Sequence, residues 1–278
     1  MCPLFNHETA SHERGEGLIK LQKFHSNGAS FAYSTTEQNG DDSLPVFIWA
    51  HGWGHSHKSF KYFVASLEQR GRHIALDFPG FGESPQPPED WGTKEHATAI
   101  AAWMKETNMP PVIWIGHSYG CRIGTQLAAH YPELVRAMVY IGGAGLKRPR
   151  PLHNQIYLFL RVRLFKALRR IVPEGTLKQK IMAFFGSADY NQTSGVMRKL
   201  FVRVVKENLI EEAKKITCPV SLIYGKDDSE TPPSVGKKYT QLIENSELHL
   251  LDEQDHYSVL QNGRHQVIKI ISDFLKEV

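Results

Sequence analysis

Short, continuous apolar runs that alternate with stretches of helical character constrain this chain more than any other feature. The runs cover residues 46–50, 73–76, 112–115, 137–141, 220–224 and 248–251, and most end at Gly, Pro, Asp or Ser. They are rich in β-branched and aromatic residues. A strand with one wet face alternates apolar and polar residues, so an unbroken run predicts a strand covered on both faces, as in a parallel sheet. Helical stretches at 58–70, 94–106, 119–130, 234–244 and 265–276 separate most of the runs. That alternation predicts an α/β protein with a predominantly parallel, doubly wound sheet flanked by helices. Residues 18–24 and 29–34 read as a hairpin leading into the sheet.

One connection breaks the rhythm. Nearly eighty residues separate Ile141 from Val220, whereas a crossover needs about a dozen plus loops. Within it, residues 156–172 form an amphipathic helical pattern. Tyr157, Leu160, Leu164, Leu168 and Ile171 share one face, and Arg163, Lys166 and Arg170 share the other. Pro173 stops this helix and another helical stretch starts at Gly175. The economical division is a core of residues 1–145 and 208–278, with residues 146–207 inserted as a mostly helical cap. Charge marks the same piece: residues 147–206 hold fourteen Lys and Arg against Glu174 and Asp189, a net +12. The whole chain carries +4, which leaves −8 for the remainder.

The sharpest local motif is Gly116-His117-Ser118-Tyr119-Gly120, between the run 112–115 and a helix ending near His130. A serine at such a strand-to-helix turn holds a strained backbone that thrusts its hydroxyl out of the sheet. Side chains two residues to either side would collide with the crowded turn, hence the glycines. The helix N-terminus behind it favours developing negative charge. With this motif in this setting the chain resembles the α/β-hydrolase family, from about Leu44 to Val278. The resemblance implies a nucleophile, an acid and a base in the chain order Ser, Asp or Glu, His. After the run 220–224 come Gly225-Lys226-Asp227-Asp228-Ser229-Glu230-Thr231-Pro232. Chemistry alone does not choose between Asp227 and Asp228; the family's Gly-x-x-Asp-x-x-x-Pro spacing lands on Asp228 and Pro232.

After the last run comes Asp252-Glu253-Gln254-Asp255-His256-Tyr257, and the family places its base in this loop, which points to His256. His249 lies inside the strand and His265 opens the last helix. The family commonly has Gly shortly before the base, where this chain has acidic residues. By resemblance the neutral His256 takes the Ser118 proton while Asp228 fixes its tautomer. His51-Gly52-Trp53-Gly54 matches the family's His-Gly element, so the backbone N–H groups of Trp53 and Tyr119 are the implied oxyanion donors. Residues 77–84, Asp-Phe-Pro-Gly-Phe-Gly-Glu-Ser, match a further family segment that shapes the pocket rim, with no catalytic proton on Asp77.

These residues imply a serine hydrolase of carboxylic-ester type acting on a small organic molecule, with no cofactor and no metal. C–C bond hydrolysis of diketone-like compounds, amide or lactone hydrolysis and acyl transfer could use the same residues, and a non-catalytic ligand-binding relative is a separate class. Serine at 118 excludes the epoxide- and halide-cleaving branch, whose nucleophile is Asp. His51, His55 and His57 lie close in sequence but have no acidic ligand among them, against a zinc site. The basic cap reads first as a solvated outer face of a helix packed on the pocket, then as an attractor of anionic substrates, and third as contact with an anionic membrane surface. No nucleic-acid motif accompanies the charge. Residues 1–17 lack a basic start and an apolar core, no apolar run is long enough to span a bilayer, and Cys2, Cys121 and Cys218 suit a reducing cytoplasm. Oligomeric state has no signature in the sequence.

Overall fold

The structure is a computed structural model that describes residues 20–36, 44–89, 91–148, 152–173, 175–177, 181, 184 and 188–278. Cys2, Phe185, the N-terminal residues and parts of the stretch after Gly175 lie outside the described residues. Eight strands form one sheet: β1 (Lys20–Ser26), β2 (Ala29–Thr35), β3 (Val46–Ala50), β4 (Arg72–Asp77), β5 (Val112–His117), β6 (Val135–Ile141), β7 (Val220–Gly225) and β8 (Ser246–Leu251). Their spatial order is β1-β2-β4-β3-β5-β6-β7-β8. From β4 to β8 every pairing is parallel, while β1–β2 and β2–β4 are antiparallel.

The first strand of the hairpin runs two residues beyond the expected end, to Ser26, and residues 18 and 19 lie outside the described residues. The turn explains the offset: Asn27 (φ 49°) and Gly28 (φ 80°) both take positive φ. A two-residue Asn-Gly turn of this kind matches the twist of the strands it joins and fixes their register.

The helices are α1 (Lys61–Leu67), α2 (Thr93–Glu106), α3 (Tyr119–His130), α4 (Leu152–Ile171), α5 (Ala188–Gln192), α6 (Gly195–Lys206), α7 (Ile210–Ala213), α8 (Pro233–Thr240) and α9 (Arg264–Phe274). Helices α4 to α7 all lie between β6 and β7. Helix α4 starts four residues before the expected position, and α8 stops at Thr240 rather than near residue 244. Among the described residues no helix is long and apolar enough to cross a membrane.

Continuous hydrophobicity of the strands follows from two cores, one on each face. In β3, Val46, Ile48 and Ala50 enter the core that holds Trp103, Ile123 and Leu127, from α2 and α3. Phe47 and Trp49 point the other way, onto Phe63 and Leu67 of α1 and Val267 and Ile271 of α9. β5 does the same, with Val112 and Trp114 on one side and Ile113 and Ile115 on the other. Each such aliphatic or aromatic side chain removed from water contributes about 1.5–3 kcal/mol. A polar residue on either face of β3 or β5 would have no water to meet.

Strand order decides where a site can form. β3 sits between β4 and β5, so the chain leaves β3 toward one side and returns on the other. At such a reversal the loops beyond the carboxyl ends part and leave a crevice. Residues 51–54 follow β3 and Ser118 follows β5, one on each side of that crevice.

Candidate active site

Ser118 occupies the strand-to-helix turn with φ 47° and ψ −100°, in the left-handed half of backbone space that a side chain rarely enters. The turn is held from both directions: Ser118 N–H donates to the Ile141 carbonyl at 3.1 Å and Ala144 N–H to the Ser118 carbonyl at 3.4 Å. The flanking glycines are sterically required. A Cβ on Gly116 would lie 2.8 Å from the Gly120 carbonyl carbon, and one on Gly120 would strike the Ala50 carbonyl oxygen.

Asp228 and His256 meet beside this turn. The His256 Nδ1 and Asp228 Oδ2 are 2.7 Å apart, and both side chains are buried. Asp227, the alternative acid, is exposed. Asp228 Oδ1 accepts N–H bonds from Glu230 (2.8 Å) and Thr231 (2.7 Å), so the loop's own backbone supports the carboxylate. Nδ1 bound to a carboxylate carries the ring proton, which leaves Nε2 as the basic nitrogen.

Two supports for this pair were not read from the sequence. The Thr231 hydroxyl lies 2.9 Å from Asp228 Oδ2 and 2.9 Å from the Gly142 carbonyl, tying the acid's loop to the loop beyond β6. His117, the residue before Ser118, donates Nε2–H to the His256 carbonyl at 2.9 Å, and the two rings lie 4.9 Å apart. Burial, then the nearby His256 imidazole, holds His117 well below the usual histidine range, so it stays neutral. Its position inside the motif was visible, but its partner lies 139 residues away.

The proposed oxyanion turn is fixed by His51. Its Nδ1–H donates to the Gly52 carbonyl at 2.7 Å, and its Nε2 accepts the Phe78 N–H at 3.0 Å. Gly52 packs so closely that a Cβ there would lie 2.6 Å from His117 Nδ1. The N–H groups of Trp53 and Tyr119 have no hydrogen-bond partner among the described residues. Their rings pack edge to face with centroids 5.4 Å apart. Free backbone N–H groups at such a turn can receive negative charge that develops on a substrate oxygen.

The neighbouring histidines are spent on structure. His57 donates its backbone N–H to Asp77 Oδ1 at 2.6 Å, and its Nδ1 is 2.8 Å from Asp77 Oδ2. His55 Nδ1 lies 3.2 Å from the Ser59 hydroxyl. Burial raises the Asp77 pKa, but hydrogen bonds from the His57 side chain and from the Glu83 and His57 N–H groups prevail and hold it below the ordinary value.

Helix α6 covers the turn at residues 51–54. Phe201 packs on the Trp53 ring with centroids 5.0 Å apart, and Phe81 lies on another edge at 4.9 Å. Of the other phenylalanines described between β6 and β7, Phe159 and Phe184 are exposed and Phe165 is half-buried. Phe201 was legible as part of the apolar spacing Met197, Leu200, Phe201, Val204. Asp189 of α5 also reaches the site: burial, then Glu230, raises its pKa, and His55 and His256 partly offset the rise.

The family described as alpha/beta hydrolase fold matches residues 45–184. An uncharacterized hydrolase of Bacillus subtilis, YugF, is 25% identical over 94% of this chain and 100% of its own length. A 2-hydroxy-6-oxo-6-(2'-aminophenyl)hexa-2,4-dienoic acid hydrolase of Metapseudomonas resinovorans is 25% identical over 78% of this chain and 79% of its own. Among solved structures, a bacterial membrane phospholipase A superposes with a TM-score of 0.73 at 21% identity, covering 95% of this chain and 88% of that one.

Proposed function

Since the chain belongs to the α/β-hydrolase fold family, we propose that it is a serine hydrolase that cleaves a carboxylic ester of a small organic substrate. The observation that carries this reading is the buried 2.7 Å contact of His256 Nδ1 with Asp228 beside the strained Ser118 turn. His256 Nε2 takes the Ser118 proton as Oγ bonds to the ester carbonyl carbon. The resulting oxyanion is received by the N–H groups of Trp53 and Tyr119. The tetrahedral species collapses and the ester C–O bond breaks, with the imidazolium returning its proton to the leaving alkoxide. Water, deprotonated by the same nitrogen, releases the acid from acyl-Ser118 and restores the hydroxyl.

The pocket wall favours neutral, partly apolar esters. Trp53, Phe81 and Phe201 form an aromatic surface next to the oxyanion donors. Asp189 and Glu230 place two acids near the base, which weighs against attraction of anionic substrates at the reacting centre. The likeness to a dienoic acid hydrolase supports a second reading, in which the same residues cleave a C–C bond next to a ketone.

A fluorophosphonate probe should label the wild type and leave Ser118→Ala unlabelled. A panel of p-nitrophenyl esters of increasing chain length, run beside vinylogous diketones, then separates the two readings. Absence of labelling in folded protein would overturn both and favour a ligand-binding relative.

A further inference from the structure

Helix α4 differs from the other helices in what it leaves exposed. Fourteen large hydrophobic side chains among the described residues are exposed, and ten of them lie between Leu152 and Phe184. The sequence reading placed the apolar face of this helix on the pocket. In the structure Tyr157, Leu160, Leu164 and Ile171 are each more than half exposed. At 100° per residue these four fall within an arc of about 60°. Arg163, Lys166 and Arg170 occupy an arc about a third of a turn away, all exposed. Arg161 borders the apolar arc on its other side, next to Phe184. Tyr157, Leu160, Leu164 and Phe184 also wall an open groove of about 480 Å³.

We propose that α4 is a membrane-docking helix that lies in the interface of an anionic phospholipid surface. Its apolar arc enters the acyl region, while the arginines and lysine extend along the flanks to lipid phosphates. Charge selects this occupant. Residues 147–206 carry +12, so a second copy applied face to face would bring like charges together, whereas an anionic surface is attracted. The −8 on the rest of the chain is repelled by the same surface, so docking has one orientation: cap down, sheet away from the lipid. A solvated outer face explains the cations but leaves the apolar arc in water without a reason.

The test is co-sedimentation of the full chain with vesicles of phosphatidylcholine alone and of equimolar phosphatidylcholine and phosphatidylglycerol, over a salt series. Binding should require the anionic lipid and weaken with salt. Each basic residue at such a surface multiplies partitioning by roughly fivefold, so Arg163→Gln/Lys166→Gln/Arg170→Gln together should lower it by roughly a hundredfold. Leu160→Asp/Leu164→Asp should abolish binding, while melting temperature and near-UV circular dichroism show that both variants remain folded. Equal affinity for both vesicle types, no binding to either, or anionic binding that survives the Leu160 and Leu164 changes would each overturn the proposal. So would light scattering that finds a wild-type dimer dispersed by those two changes, since a second copy would then cover the face. None of these readouts depends on the chemistry at Ser118.

Discussion

Acidification from pH 7 to pH 5 should destabilise the fold through three histidines buried in the uncharged state. His51 donates from Nδ1 to Gly52 and accepts the Phe78 N–H at Nε2. His73 donates from Nε2 to the Leu67 carbonyl and accepts the Trp49 indole N–H at Nδ1, 3.0 Å away. His96 bonds the Gly92 carbonyl through Nδ1 amid Phe31, Phe78 and Trp91. A second proton on His51 or His73 has to displace a donor already aimed at the ring nitrogen. Burial lowers each from 6.5 to about 4, and the bond to a backbone carbonyl offsets only part of that. The unfolded chain binds these protons near pH 6.5 and the folded chain not until about pH 4. Stability from this source is therefore whole above pH 6.5, declines as pH falls toward 4, and levels off below. At pH 5 the loss relative to pH 7 is about 1.8 kcal/mol per histidine, or about 5.5 kcal/mol for the three. Total domain stability is typically about 5–15 kcal/mol, so this fraction is readily seen. Urea unfolding followed by tryptophan fluorescence at pH 7, 6 and 5 measures it. His117, also buried and neutral, adds to the slope, so His73→Gln, remote from Ser118, should remove about 1.8 kcal/mol of the loss between pH 7 and 5, at most about a quarter of it, whatever it does to absolute stability. A change below about 1.5 kcal/mol between pH 7 and 5, or an unaltered slope in His73→Gln, would refute the reasoning.

Two further outcomes concern the proposed acid and nucleophile. Asp228→Asn should lower kcat by roughly 10⁴, as loss of the tautomer-fixing carboxylate does in other triads, while Asp227→Asn, on an exposed side chain, leaves it within about twofold; steady-state kinetics on the best ester decides. Ser118→Gly should be inactive yet more stable than wild type by about 1 kcal/mol, because glycine tolerates the positive φ at that turn; a lower urea midpoint would contradict the strain.

The strands were legible because burial on both faces leaves an unbroken apolar run, and a helix pattern cannot imitate 46–50 or 112–115 between glycines and prolines. Ser118 was legible because its turn demands glycine at 116 and 120, a local and steric requirement. His256 stood out as the histidine in the loop after the last strand. Thr231 and His117 were not legible in their supporting parts, since each acts on a group brought near only by folding of distant loops. Phe201 shows the same limit differently. Its period announces an amphipathic helix, but period does not say which surface the helix covers. For α4 the pattern was right and the inferred partner was not, because an apolar arc looks the same whether it faces a core or a lipid.

The bond from His117 to the His256 carbonyl links the His256 loop to β5 in the middle of the sheet. A swing of that loop would strip a buried donor of its one acceptor among the described residues, so this edge of the sheet behaves as an anvil rather than a jaw. Admission of substrate then falls to the other side of the crevice. Phe201 and Asp189, on the segment between β6 and β7, border that side, so exchanges of sequence there should retune what the protein accepts.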